Sequence, residues 1–154
     1  MGGIEMRLSA DGSCDAYDTD DDVSLGVWPS MADWALAWHE EWRTGTYGAA
    51  CDLVHALTDE GDPRALEILV ALARATNGDA DQLACVGAGP LEDLISHRGH
   101  GLRLLDEIET AARREPLFAR SLANVWLGAD VPDAVRHRLA RLGARDFVAE
   151  HAMT

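Results

Sequence analysis

Cys51 and His55 lie four residues apart in a stretch with helical periodicity, so a thiol and an imidazole share one helix face. Such a pair can share a metal or form a thiolate–imidazole couple, although no flanking signature marks Cys51 as a nucleophile. Cys85, with His97 and His100 on either side of Gly99, offers three zinc-type ligands. Their spacing matches no common zinc module and no fourth ligand accompanies them, so no metal or other cofactor is assigned. Glu92 and Asp93 are adjacent, diverge by about 100 degrees around a helix, and therefore do not form an acid–base pair. Asp18-Thr-Asp20-Asp21-Asp22 has the acid density of a calcium loop. However, the sixth and twelfth positions, where an EF-hand needs Gly and Glu, hold Val23 and Pro29, which leaves a solvated acidic loop. Gly87-Ala-Gly89 completes neither phosphate-binding glycine motif. Cys14, Cys51 and Cys85 are widely spaced without any C-x-x-C, which points to reduced thiols rather than a disulfide framework.

A second kind of chemistry is recognition. Trp34, Trp38 and Trp42 recur every four residues in a helix that Ser30 caps and Gly45 ends, joined on one stripe by Met31, Ala35 and Leu36. Most of such a stripe belongs in a core. A Trp left at its edge beside Glu41 suits a protein-binding face, because Trp is a frequent interface anchor. The partner-binding candidates are Asp18, Asp20, Asp21, Asp22, Trp34, Trp38, Glu41 and Trp42.

The elements that would position these residues read as helices. Residues 47–61 carry Ala50, Leu53, Val54 and Leu57 on one face. Asp62-Pro63 opens a helix to Thr76, stopped by Asn77-Gly78. Asp79 or Asp81 caps a short helix to Val86. Gly87-Ala-Gly-Pro90 breaks the line, and Leu91, Leu94 and Ile95 face inward until Gly99. Helices over 102–114, 117–127 and 132–142 follow, the last with Arg136, Arg138 and Arg141 outward. Pro63, Pro90 and Pro116 open helices at intervals of 27 and 26 residues, a rhythm of stacked helix pairs. The expected fold is all-α: a compact multi-helix bundle or short HEAT-like solenoid over residues 30–154, behind an irregular acidic arm or small hairpin at 1–29. Within that arm Ile4–Leu8 alternates like a short strand, followed by a turn.

Charge restricts function further. The 154 residues hold 27 acids and 13 bases, a net charge of -14, and every base is Arg. Residues 1–62 contain fourteen of the acids but only Arg7 and Arg43, a local balance of about -12. Nucleic-acid affinity comes mostly from counterion release by Lys and Arg, so direct nucleic-acid binding is not expected, whereas a basic protein partner is. No apolar run approaches the ~20 residues needed to span a bilayer. Without a secretory signal pattern, a cytoplasmic location is expected.

The passage Ala84-Cys-Val-Gly-Ala-Gly-Pro-Leu-Glu-Asp-Leu-Ile-Ser-His-Arg-Gly99, followed by Ala111-Ala112, Pro116-Leu-Phe118 and Asn124-Val-Trp126, resembles an uncharacterised bacterial domain family. That family centres on a Gly-Pro-Leu-Glu-Asp-Leu-Leu type motif, with Ile95 here in place of a common Leu. The resemblance spans residues 34–127 and implies a compact helical fold without an assigned activity. The sequence favours a small acidic binding protein for a basic protein, of the immunity or inhibitory type. The alternatives are a metal- or thiol-dependent enzyme using the Cys and His residues and a self-associating helical scaffold, which leaves a homodimer open.

Overall fold

The computed structural model describes residues 3–152. The chain opens with a three-stranded antiparallel sheet, β1 (Ile4–Leu8), β2 (Cys14–Asp18) and β3 (Val23–Trp28), in that spatial order. Met6, Ala16 and Gly26 stand opposite one another, with Cys14 opposite both Leu8 and Trp28. Met6, Cys14 and Ala16 are buried and face the helices. A methyl group on Gly26 would lie 3.2 Å from the Ala49 side chain, so the sheet lies close against the helix that begins there.

The sheet corrects the all-α expectation and the irregular arm that went with it. The strand reading of Ile4–Leu8 extends to a meander of three strands, and the reason the other two escaped is physical. A strand is recognised by apolar residues alternating toward a core. In β3 the alternating apolar residues Val23, Leu25 and Val27 are exposed, while β2 presents only the small Cys14 and Ala16 inward. Acidic residues between them mask what signal remains. On the outer face the Arg7 guanidinium stacks 3.4 Å from the Tyr17 ring centroid.

The helices begin with α1 (Met31–Thr44), α2 (Ala49–Glu60) and α3 (Arg64–Ala75). Ser30 accepts from the Asp33 N–H, and Gly45 closes α1 at φ 69°, both as its capping residues require. Short pieces follow: α4 (Ala80–Val86), a π-helical turn (Gly87–Leu91) kinked at Gly89, α5 (Glu92–Ser96), α6 (His100–Arg103), α7 (Leu105–Arg114) and α8 (Pro116–Leu122). Then come β4 (Trp126–Leu127), α9 (Asp133–Ala140), β5 (Arg145–Asp146) and α10 (Phe147–His151).

Nor is this a solenoid, in which each repeat touches only its neighbours. The apolar α3 packs against α1, α2, α4, α7 and α8, with Ala65, Ile68, Leu69, Leu72 and Ala73 fully buried. The proline rhythm marks helix starts around one core. Gly87 lets the π-helical turn approach α8, since a methyl there would overlap the Ser121 carbonyl oxygen. The helix expected to reach 127 stops at Leu122, because Trp126 and Leu127 pair in parallel with Arg145 and Asp146. Arg136, expected outside, is buried; its Nε lies 3.4 Å from Asp146, and Asp133 takes its other end. Among the described residues no helix is long and apolar enough to cross a membrane.

Gly87→Ala is therefore expected to destabilise the fold by about 3 kcal/mol through backbone overlap. Gly99→Ala meets no neighbour and carries only the penalty of φ 76°, about 1 kcal/mol. Urea unfolding midpoints of the two variants test this order. A pH effect follows from His39, buried with Nε2 2.8 Å from the Leu72 carbonyl oxygen. Burial lowers its pKa below the ordinary 6.5 despite that hydrogen bond. The unfolded chain therefore takes up this proton first, so stability falls as the pH drops below about 6.5. Replacing His39 by Gln, which keeps a donor for Leu72, should flatten that part of the urea-midpoint profile relative to the parent.

Candidate functional site

α2 is fixed at both ends by side chains from elsewhere. Its first residues have no side-chain cap of their own; instead Glu41 of α1 accepts the Cys51 N–H at 3.0 Å. At the other end the His100 Nε2 lies 2.8 Å from the Asp59 carbonyl oxygen, and Arg103 donates to the Gly61 carbonyl at 2.6 Å. The Arg103 guanidinium also lies 3.1 Å from the His100 Nδ1. A carboxylate at the N-terminus and a cation at the C-terminus both suit the helix dipole. Cys51, Asp52, His55, Thr58 and Asp59 are thereby held on one side.

That side of α2 forms one wall of a cavity of about 340 Å³. Trp38 and Trp42 of α1, with Tyr47 from the connection, form its aromatic wall, and Gly89, Pro90 and Asp93 close it. Trp38 is buried, and Trp42 stacks on it with centroids 5.3 Å apart and planes at 15°. Trp42 itself is 39% exposed, and Tyr47 meets it edge-on at 5.6 Å and 61°. A second hollow of about 200 Å³, lined by His55, Thr58, Asp59, Asp93 and His97, shares three residues with the first. No arginine lines either one.

Asp52 and Asp93 are exposed, and among the described residues neither carboxylate is in an ion pair or a side-chain hydrogen bond. The Cys51 thiol is half-buried, and burial, with Glu41 adding repulsion, pushes its pKa up to about 12. Such a thiol stays protonated at neutral pH, a poor starting point for nucleophilic chemistry with His55.

The structure separates the other sequence candidates. Trp34 is fully buried, its indole N–H without a partner, and belongs to the core. Glu41 faces the start of α2 as its cap. Asp18 to Asp22 form the β2–β3 turn: Asp18 accepts from the Asp20 and Asp21 N–H groups, Asp22 sits at φ 54° and accepts from the Tyr17 hydroxyl. This turn is not part of the cavity wall. His97 lies 2.9 Å from the Asp59 carboxylate and His100 bonds to backbone, while Cys85 packs against the core from α4. Among the described residues no three His, Cys, Asp or Glu side chains are grouped to hold a metal. Glu92 accepts the Trp126 N–H at 2.9 Å, tying α5 to β4, and burial raises its pKa. Tyr47, Asp52 and Asp93 were missed as site residues. Asp52 shares a helix side with His55, but although Gly87-Ala-Gly-Pro90 marks a break, nothing local shows that it brings Asp93 to the same cavity.

Charge is divided as well. Of the fourteen acids in residues 1–62, Glu5, Glu40 and Asp59 are those in ion pairs among the described residues. Beyond residue 62 five of the eleven arginines meet acids of the same part: Arg74 with Glu115, Arg113 with Glu109, Arg136 with Asp133 and Asp146, Arg138 with Asp106 and Glu109, and Arg145 with Glu150.

Among known proteins, the chain is 40% identical over 67 residues to the hydrogenase maturation factor HypC of Rhodobacter capsulatus. That likeness covers 40% of this chain, which spans 65% of the length of the relative. No solved structure matches. A family model matches residues 45–147, beginning later and ending later than the resemblance drawn from the central motif. The match takes in Tyr47, all of α2 and the Gly89–Asp93 wall, leaving Trp38 and Trp42 just before it. The chain belongs to this family, DUF6869, a family of unknown function.

Proposed function

We propose that this chain is a binding protein for a basic protein partner, acting from the cytoplasm as an immunity-type or inhibitory protein. The observation that carries this reading is the division of charge. Eleven of the fourteen acids of residues 1–62 stand outside any ion pair among the described residues, while Arg74, Arg113, Arg136, Arg138 and Arg145, five of the eleven arginines beyond residue 62, pair with acids of that same part. An uncompensated negative region attracts a positive surface over a Debye length and speeds its capture. The cleft beside it, with a half-exposed Trp42 held by stacking, provides an aromatic anchor of the kind that dominates interface energetics. The cytosolic location is consistent with the three cysteines, which are all free.

A second reading, an accessory factor that binds another protein during its maturation, draws on the likeness to HypC over 67 residues. It differs in the partner, not in the mode of action.

The test is capture from the source organism's lysate on the immobilised chain, with salt raised from about 0.01 M to about 1 M, which shortens the Debye length from about 30 Å to about 3 Å. A basic protein retained at the low end and released at the high end is expected. Asp20→Asn, Asp21→Asn and Asp22→Asn together should slow its association several-fold, and Trp42→Ala should speed its release. Retention that is indifferent to salt and to these substitutions would reject the reading. An acidic maturation client held equally well throughout would favour the second.

A further inference from the structure

We propose that the cleft between α1, α2 and the Gly89–Pro90 turn is a guanidinium site that takes an arginine side chain of the basic partner. This deepens the reading above and rests on it for the source of the arginine.

Three features of the cleft converge on a flat cation. The Trp42 ring is backed by the parallel, buried Trp38 and flanked edge-on by Tyr47, so it is a fixed aromatic surface rather than a mobile one. Aromatic faces attract cations, and a planar guanidinium also stacks on them. Asp52 and Asp93, from α2 and α5, line the same cavity, both without an ion-pair partner among the described residues. With no arginine in the wall, its two carboxylates and its aromatic faces attract a cation and repel an anion.

Size and shape narrow the choice. The cavity, about 340 Å³, lies at the small end of ligand sites, which begin at about 300 Å³. It accommodates one extended side chain rather than a folded ligand. A guanidinium presents five donors in a plane and can address two carboxylates while its face rests on Trp42. An ammonium is a point charge that does one of these at a time. The protonated Cys51 thiol, Gly89 and Pro90 complete a neutral lining for the aliphatic stem.

The experiment titrates the intact chain with acetyl-arginine amide, acetyl-lysine amide and acetyl-citrulline amide, following the Trp42 indole N–H by NMR, assigned with Trp42→Phe. A saturable shift is expected for the arginine compound, at least about tenfold weaker for citrulline, which has the shape without the charge. Asp52→Asn combined with Asp93→Asn should weaken arginine binding at least about tenfold; both residues are exposed, and unchanged amide signals elsewhere confirm the fold. Equal binding of citrulline, tighter binding of lysine, no saturation, or indifference to the double substitution would each overturn the guanidinium site. If the basic protein is still captured in a salt-sensitive way while arginine amide fails to saturate, this inference falls and the binding reading stands. If arginine amide saturates but no basic protein is retained, the partner reading falls and the cleft is a site for free guanidinium compounds.

Discussion

The architecture depends on how α2 is held at its two ends. A twelve-residue helix capped by Gly48 has no side chain of its own cap for its first N–H groups, and at the other end the Gly61 turn answers the Leu57 and Thr58 carbonyls but leaves that of Asp59. Here Glu41 reaches from α1 to the Cys51 N–H, while His100 and Arg103 reach from α6 to the Asp59 and Gly61 carbonyls. These contacts link residues 10 to 42 positions apart and tie three helices into a fixed relation. Gly61 is part of the same device: its φ of 65° turns the chain, and a side chain there would overlap the His100 ring. The sheet then covers one side of α2, leaving the other for the cleft.

Holding α2 in this way has a chemical consequence for the site. Glu41 caps the helix beside Cys51, so the negative charge that stabilises α2 also disfavours a thiolate there. Reactive cysteines use a helix N-terminus to stabilise the thiolate. In this protein Glu41 occupies that position, and the Cys51 thiol is left as a neutral part of the wall. The same geometry places Asp52 and His55 in the lining of the cavity that Trp42 also lines. What the arrangement offers is a stacked aromatic face beside two exposed carboxylates that have no ion-pair partner among the described residues.

Much of the helical part was legible from local chemistry. Ser30, Gly45, Asp79 and the prolines name helix ends that need no tertiary information, and α1, α3 and α4 begin and end within a residue or two of them. The failures have two causes, a misleading local pattern in one strand and partners distant in sequence elsewhere. Strand β3 carries its apolar residues on the exposed face, and β4 exists only because β5 comes alongside it 19 residues later. Arg136 looks like a surface residue until Asp146 is brought against it. In the same way the tryptophan stripe was visible, but which Trp remains accessible depends on tertiary packing: Trp34 and Trp38 are buried, and Trp42, beside the Gly89 turn, keeps substantial exposure.

The acidic turn and the aromatic cleft also differ in what each can contribute to recognition. Asp18, Asp20, Asp21 and Asp22 are organised by their own backbone and by Tyr17, and they lie outside the cleft wall. Charges of that kind act at a distance, are screened by salt, and govern how fast partners meet. Trp42 acts only at contact, and contacts of that kind set how long a complex lasts. A protein that separates these two tasks can take a strongly charged approach surface without relying on exposed ion pairs for affinity, since each such pair contributes about 1 kcal/mol or less. On the binding reading, discrimination among basic partners therefore resides in the small cleft, and the broad negative surface sets only the rate of encounter.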